Sequence, residues 1–249
     1  MSTSESPLPW IEAGQALPAA DLAWSQETSA PGLLAVSPDL TAVQVAQAYA
    51  QGTFPWYSRG QPVLWWSPDP RMVLEPKAFR FHRSLQQSLK KQLQMPGVRL
   101  CFDQAFVQVM QRCADSPRQR QNGTWIVPRM IEVYTELHQM GLAHSAELWQ
   151  DDRLMAGLYF VSLGHAVFGE SMFTSVRDGS KMALSLLVST CLRHKIPVID
   201  CQQNTSHLAS LGAHEISRCQ FLHIISQAQR ESTIPWPEQH LYWDELLNL

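Results

Sequence analysis

Residues 166 to 202 read AVFGESMFTSVRDGSKMALSLLVSTCLRHKIPVIDCQ, and the succession of patterns in this stretch decides the fold. Ala166 to Phe173 reads as a strand. A turn containing Asp178 and Gly179 leads to a helix over 180 to 194, whose apolar positions Met182, Leu184, Leu186, Leu187 and Cys191 are numerous enough to mean deep burial. Ile196 to Cys201 is then a second buried strand, which the helix reaches as a crossover to a parallel neighbour. Immediately upstream, Ser145 to Trp149 and Leu154 to Val161 are joined through Asp151 and Asp152 as a hairpin. A hairpin running into a crossover predicts an α+β fold with a mixed sheet flanked by helices.

Further towards the N-terminus the spacing changes. A basic helix is expected around 82 to 93, a strand around 98 to 102, and helices at about 104 to 113 and 128 to 140, the last stopped by Gly141. Thr41 followed by Gln44 is a capping-box signal, and Gly52 ends the helix it starts. Residues 54 to 71 hold Trp56, Trp65 and Trp66 among Pro55, Pro62, Pro68 and Pro70, which predicts a folded-back loop rather than a regular element. Arg71 to Glu75 reads as a brief strand, and Pro76 opens a new segment. The domains expected are therefore 1–76, small and carrying the aromatic loop, and 77–249, carrying the mixed sheet.

The 249 residues are 45% hydrophobic and 16% charged, a globular balance. The N-terminus lacks the basic and apolar regions of a secretion signal, and no run approaches the roughly 18 apolar residues of a membrane span, so a soluble cytoplasmic protein is expected. Cysteines 101, 113, 191, 201 and 219 form no C-x-x-C and no zinc-type spacing, so neither a metal nor a cofactor is expected. The net charge of -3 hides a segmentation. Residues 71 to 129 carry eleven Lys and Arg against three Asp and Glu, a net +8, whereas 1 to 70 carry -5 and 130 to 249 carry -6. Lys77, Arg80, Arg83, Lys90, Lys91, Arg118 and Arg120 then form a surface for a polyanion, and the acidic ends suit a cation.

Three polar residues stand out on the expected sheet. Glu170 lies within Phe168-Gly169-Glu170-Ser171-Met172-Phe173, and Asp200 and Gln202 within Ile199-Asp200-Cys201-Gln202. A carboxylate in an apolar strand needs a partner or a purpose. Period 2 points Asp200 and Gln202 the same way near a strand end, where either a structural pairing with Arg or Lys or a catalytic role would account for them. Gly-x-Ser-x-Gly and Walker loops are absent. The turn Thr174 to Lys181 holds a single glycine, a poor cradle for the pyrophosphate of coenzyme A.

Several motifs together resemble one family: Leu64-Trp65-Trp66-Ser67-Pro68-Asp69-Pro70-Arg71, Gly123-Thr124-Trp125-Ile126, Ala143-His144-Ser145, Gly169 to Phe173, Ser180-Lys181, Ile199 to Gln202, and Leu208-Ala209-Ser210-Leu211-Gly212-Ala213. In this order, over about residues 32 to 221, they are similar to the leucyl/phenylalanyl-tRNA-protein transferases. The resemblance implies a small N-terminal domain followed by an acetyltransferase-like (GNAT) domain. It implies an aminoacyltransferase that moves Leu or Phe, and less readily Met, from aminoacyl-tRNA to proteins beginning with Arg or Lys, marking them for N-degron-dependent degradation. A monomer is expected.

By the same resemblance Trp56 and Trp125 sandwich the terminal adenosine, and Leu158, Val167, Phe168, Leu184 and Ile199 line the aminoacyl pocket. Catalysis is assigned to Asp200, Gln202 and Glu170. Asp200 accepts or relays the amine proton, Gln202 holds amine or carbonyl, and Glu170 orients the cationic acceptor. The rival readings are another aminoacyl-tRNA-dependent transferase of the same fold, an acyl-CoA acetyltransferase, and a non-catalytic tRNA-binding adaptor.

Overall fold

The aromatic run expected to be a loop contains the middle strand of a small antiparallel sheet in the computed structural model, which describes residues 7–12, 14–116 and 126–249. This sheet has β1 (Leu33–Ser37), β2 (Phe54–Pro55) and β3 (Val63–Trp66) in the order β1-β3-β2. The four prolines do not prevent it, because Pro62 precedes β3, Pro68 and Pro70 follow it, and Pro55 sits in the two-residue edge strand. Trp65 is fully buried, with its indole N–H donating to Ser37 Oγ at 2.9 Å. Helix α1 (Ala42–Ala50) connects β1 to β2. The Thr41 hydroxyl accepts from the Gln44 backbone N–H, which is one half of the expected capping box.

The large sheet has seven strands: β4 (Arg71–Leu74), β5 (Val98–Phe102), β6 (Ala143–Gln150), β7 (Arg153–Leu163), β8 (Ala166–Thr174), β9 (Ile199–Gln202) and β10 (His214–Ile216). Their order is β10-β4-β9-β8-β7-β6-β5, so β4, which precedes residue 76, already belongs to the larger sheet. Every neighbouring pair is antiparallel except β8 and β9, which are parallel and bridged by α5 (Gly179–Arg193) as the crossover pattern predicts. Strand β9 starts at Ile199 rather than Ile196, since Pro197 has no N–H to give to a ladder.

Apolar clusters fill both faces. One joins the small sheet and α1 to α3 (Phe106–Asp115), α4 (Pro128–Gln139) and α7 (Arg218–Ala228). The other joins α2 (Arg83–Leu93), α5 and α8 (Trp243–Leu247), while the short α6 (Ser206–Ser210) borders it. Helix α5 is buried nearly all round, at about 1.5 to 3 kcal/mol for each large apolar side chain removed from water. Its buried Ser185, Ser189 and Thr190 hydroxyls avoid an unpaired cost by donating to carbonyls one turn back.

Two irregularities in the sheet position the site. Tyr159 pairs with Ser171 and Phe160 with Gly169, so Glu170 is the extra residue of a β-bulge. The bulge flips the alternation, placing Phe168 and Glu170 towards Tyr49 while Met172 turns to the α5 side. Strands β8 and β9 pair only at Val167–Ile199 and Phe168–Asp200, and beyond those residues they part. That parting opens the sheet where Glu170 and Gln202 face each other.

Candidate active site

A pocket of about 290 Å³ occupies the opening between β8 and β9. Its walls are mainly apolar, with Leu74, Leu158, Leu184, Leu187, Ile199, Met172 and Leu208 from the α5 side, while Glu170, Asp200 and Gln202, with Ser171, Thr205 and His207, supply polar groups. The volume is near the lower end of the roughly 300 to 1,000 Å³ typical of ligand sites, which suits one amino-acid side chain better than a nucleotide.

Of the five residues expected to line an aminoacyl pocket, Leu158, Leu184 and Ile199 line this one. Val167 is buried in the α5-side cluster without reaching the pocket. Phe168 lies on the other face of the sheet, 5.0 Å from the Tyr49 ring. Val167 and Phe168 are neighbours in the regular part of β8 ahead of the bulge, so strand alternation puts their side chains on opposite faces of the sheet. Met172, Leu74, Leu187 and Leu208 complete the wall and were not anticipated.

Glu170 is held by a chain of hydroxyls. Tyr49 Oη donates to Glu170 Oε1 at 2.5 Å and lies 2.6 Å from Tyr134 Oη. Gln202 Nε2 donates to the same carboxyl oxygen at 3.1 Å and to the Gly169 carbonyl at 2.7 Å. Burial pushes the Glu170 carboxyl up to about 8 and outweighs the hydrogen bonds from the two tyrosines. The same burial, with Glu170 beside them, raises the Tyr49 and Tyr134 phenols well above their ordinary value, so both stay protonated donors.

Asp200 is fully buried and forms a bidentate pair with Arg71, with Nε to Oδ1 at 2.8 Å and Nη2 to Oδ2 at 2.6 Å. Asp200 Oδ1 also accepts the Gln202 backbone N–H at 3.0 Å. Gln202 has φ of +56°, a left-handed conformation that a non-glycine residue seldom adopts, and this bond helps to hold it there. Asp200 and Gln202 are thus brought together as expected, by a backbone bond rather than by strand alternation alone. Arg71 was missed as a site residue. The only signals in the sequence were a buried aspartate needing a cation and an arginine ending the proline run.

The expected adenosine-stacking residue Trp56 is half-buried, with its ring centre 5.6 Å from that of Trp66 at an angle of 65°. Its backbone carbonyl accepts from Trp66 Nε1 at 2.8 Å, which fixes the loop that carries it. Trp125, Arg118 and Arg120 lie outside the described residues. Lys77, Arg80, Arg83, Lys90 and Lys91 are all exposed along the segment that includes α2. Lys90 Nζ sits 5.6 Å from the Trp243 ring centre, so that cation is partly anchored.

The split mixed sheet thus holds a largely apolar pocket with a carboxyl and an amide among its lining residues, as an enzyme site for a compact apolar group would. The profile described as "Leucyl/phenylalanyl-tRNA protein transferase" matches residues 73–226, and that of the corresponding N-terminal domain matches 38–69. The leucyl/phenylalanyl-tRNA–protein transferase of a Polaromonas species is 51% identical over 97% of this chain and 94% of its own length. That of Albidiferax ferrireducens is 49% identical over 99% and 97%, and that of Burkholderia cenocepacia 48% over 92% and 90%. The chain belongs to the leucyl/phenylalanyl-tRNA protein transferase family. The solved structure of L-PGS from Bacillus licheniformis, by contrast, superposes with a TM-score of only 0.39 at 8% identity, over 80% of this chain and 73% of that one.

Proposed function

We propose that the protein transfers Leu or Phe, and less readily Met, from aminoacyl-tRNA to the α-amino group of proteins beginning with Arg or Lys, marking them for N-degron-dependent degradation in the cytoplasm. The observation that carries this reading is the pocket, with mainly apolar walls sized for one side chain and with Glu170 and Gln202 among its lining residues. Leu, Phe and Met are unbranched at Cβ, whereas Val and Ile present a stiff, wide Cβ that a narrow entrance rejects. The parting of parallel β8 and β9 supports an acetyltransferase-like (GNAT) description, with the acyl group in the gap. The residues ahead of β4 would then form a small N-terminal unit, ending before the expected boundary at 76 because β4 pairs within the large sheet, and the whole chain would act as a monomer. The exposed cations at Lys77, Arg80, Arg83, Lys90 and Lys91 suit tRNA phosphates. Trp56 is placed in this reading against the terminal adenosine, with Trp125 as its partner.

The aminoacyl ester is already activated, so positioning dominates the chemistry. The acceptor nitrogen attacks the ester carbonyl carbon, the new C–N bond forms, and the C–O bond to the ribose breaks. One proton leaves the ammonium before attack, and another ends on the ribose oxygen. Burial holds the Glu170 carboxyl at about 8, in the range of a protein α-ammonium at about 7.7 to 8.0, so the ionised fraction of Glu170 is the group that orients the amine and takes its proton. Asp200, expected from the sequence to accept or relay that proton, has both oxygens committed to Arg71. It is better suited to act as a fixed anion that sets Gln202. Gln202 holds the amine or carbonyl by hydrogen bonds.

The test is a panel of tRNAs charged with Leu, Phe, Met, Val and Ile, offered with a peptide beginning with Arg. Transfer should rank Leu and Phe above Met, with Val and Ile lower by about tenfold or more. Equal use of Val and Ile would refute the pocket reading.

A further inference from the structure

Arg71 lies in the three residues between the two profile matches, which end at 69 and resume at 73. Its guanidinium is nevertheless the most heavily engaged cation near the pocket. The side chain is fully buried. Beyond its two bonds to Asp200, Nη1 donates to the Gly52 carbonyl at 3.1 Å. Its central carbon lies 4.9 Å from the Phe54 ring centre and 4.5 Å from that of Phe221, so two aromatic rings sandwich the fork. Gly52 closes α1, Phe54 starts β2, Phe221 belongs to α7 and Asp200 to β9, so this one side chain joins four separate elements.

That engagement leads directly to the reacting groups. Asp200 Oδ1, which accepts Arg71 Nε, also accepts the Gln202 N–H and restrains a backbone with positive φ. The conformation of Gln202 in turn directs Nε2 to the Gly169 carbonyl and to Glu170. Lysine could not reproduce these contacts, because it lacks the planar fork that reaches both carboxylate oxygens and a carbonyl at once.

We propose that Arg71 is a positioning residue of the transfer reaction, acting through Asp200 to hold Gln202 in its reactive conformation. This rests on the transferase reading of the site. Arg71 touches neither substrate in this account, so it governs the rate of transfer and leaves tRNA binding to the other surfaces.

The experiment is a double-mutant cycle on kcat, with Leu-tRNA and an Arg-starting peptide both saturating. It compares wild type, Arg71→Met, Gln202→Ala and the double variant, each confirmed as folded by its melting transition. Arg71→Met should lower kcat by about 10- to 100-fold, the order expected for small displacements of a positioned group, with the KM for aminoacyl-tRNA within about twofold. In the Gln202→Ala background, Arg71→Met should lower kcat by less than about threefold, because the group it positions is already gone. Arg71→Lys should fall between wild type and Arg71→Met. If Arg71→Met does not fold, Arg71→Lys carries the same cycle. Equal losses in the two backgrounds, a change confined to KM, or an unchanged kcat would overturn the positioning role. Absence of transfer by the wild-type protein would instead overturn the transferase reading itself, and the positioning role with it.

Discussion

Replacing Glu170 by Gln should make the protein more stable than wild type at alkaline pH and progressively less so as the pH falls. The Glu170 carboxyl, ordinarily near 4.5, is raised to about 8, chiefly by burial. The unfolded chain therefore releases this proton near 4.5, whereas the folded chain keeps it until about 8. Stability due to the retained proton is fully present below about 4.5 and is lost as the pH rises through about 8. The interval corresponds to about 4 to 5 kcal/mol, and the partial opening of Glu170 to the pocket reduces the measurable part to about 2 to 4 kcal/mol. The amide introduced by Glu170→Gln would carry no charge at any pH and could still accept from Tyr49 Oη through its oxygen. Urea unfolding of both proteins at pH 5, 7 and 9 reads the difference directly. The stability of Glu170→Gln relative to wild type should rise by about 2 to 4 kcal/mol from pH 5 to pH 9. A difference that is the same at all three pH values would refute the raised carboxyl, and with it the match to the acceptor ammonium.

Reversal of Arg83 and Lys90 to Glu should weaken tRNA binding and reduce the slope of log affinity against log salt by about 1 for each phosphate that is no longer paired, as measured by filter binding at several salt concentrations. Leu184→Phe, which narrows the pocket from the α5 side, should lower kcat/KM for Phe-tRNA at least about tenfold more than for Leu-tRNA. Gly212→Ala should destabilise the fold by about 2 to 4 kcal/mol in chemical denaturation, because φ there is +103° and the added methyl would press on the Ala78 carbonyl oxygen.

Most elements of the large sheet were legible because their signals are local, whereas the three-residue edge strand β10 was not anticipated. The apolar density of 180 to 194 and the turn at Asp178 and Gly179 place α5 within a residue of its observed start, and the hairpin at Asp151 is where it should be. The small sheet was not legible. Its strands β1 and β3 are five and four residues long, and the prolines flanking β3 obscured it. At the site, a buried carboxylate in an apolar strand correctly marked Glu170 and Asp200 as residues needing partners. The partners themselves lie far away in sequence, Arg71 at 129 residues from Asp200 and Tyr49 at 121 from Glu170, and no periodicity encodes such pairings. The bulge at Glu170 also depends on its neighbour strand, so alternation alone could not tell that Met172, beyond it, turns to the α5 side.

In the proposed reaction one site receives an aminoacyl ester and a cationic protein N-terminus together. Incubation of the wild-type protein with tRNA carrying labelled leucine, and with two peptides that differ only in beginning with Arg or Ala, tests it most directly. Label should pass to the Arg peptide alone; transfer to both peptides equally, or to neither, would contradict the account.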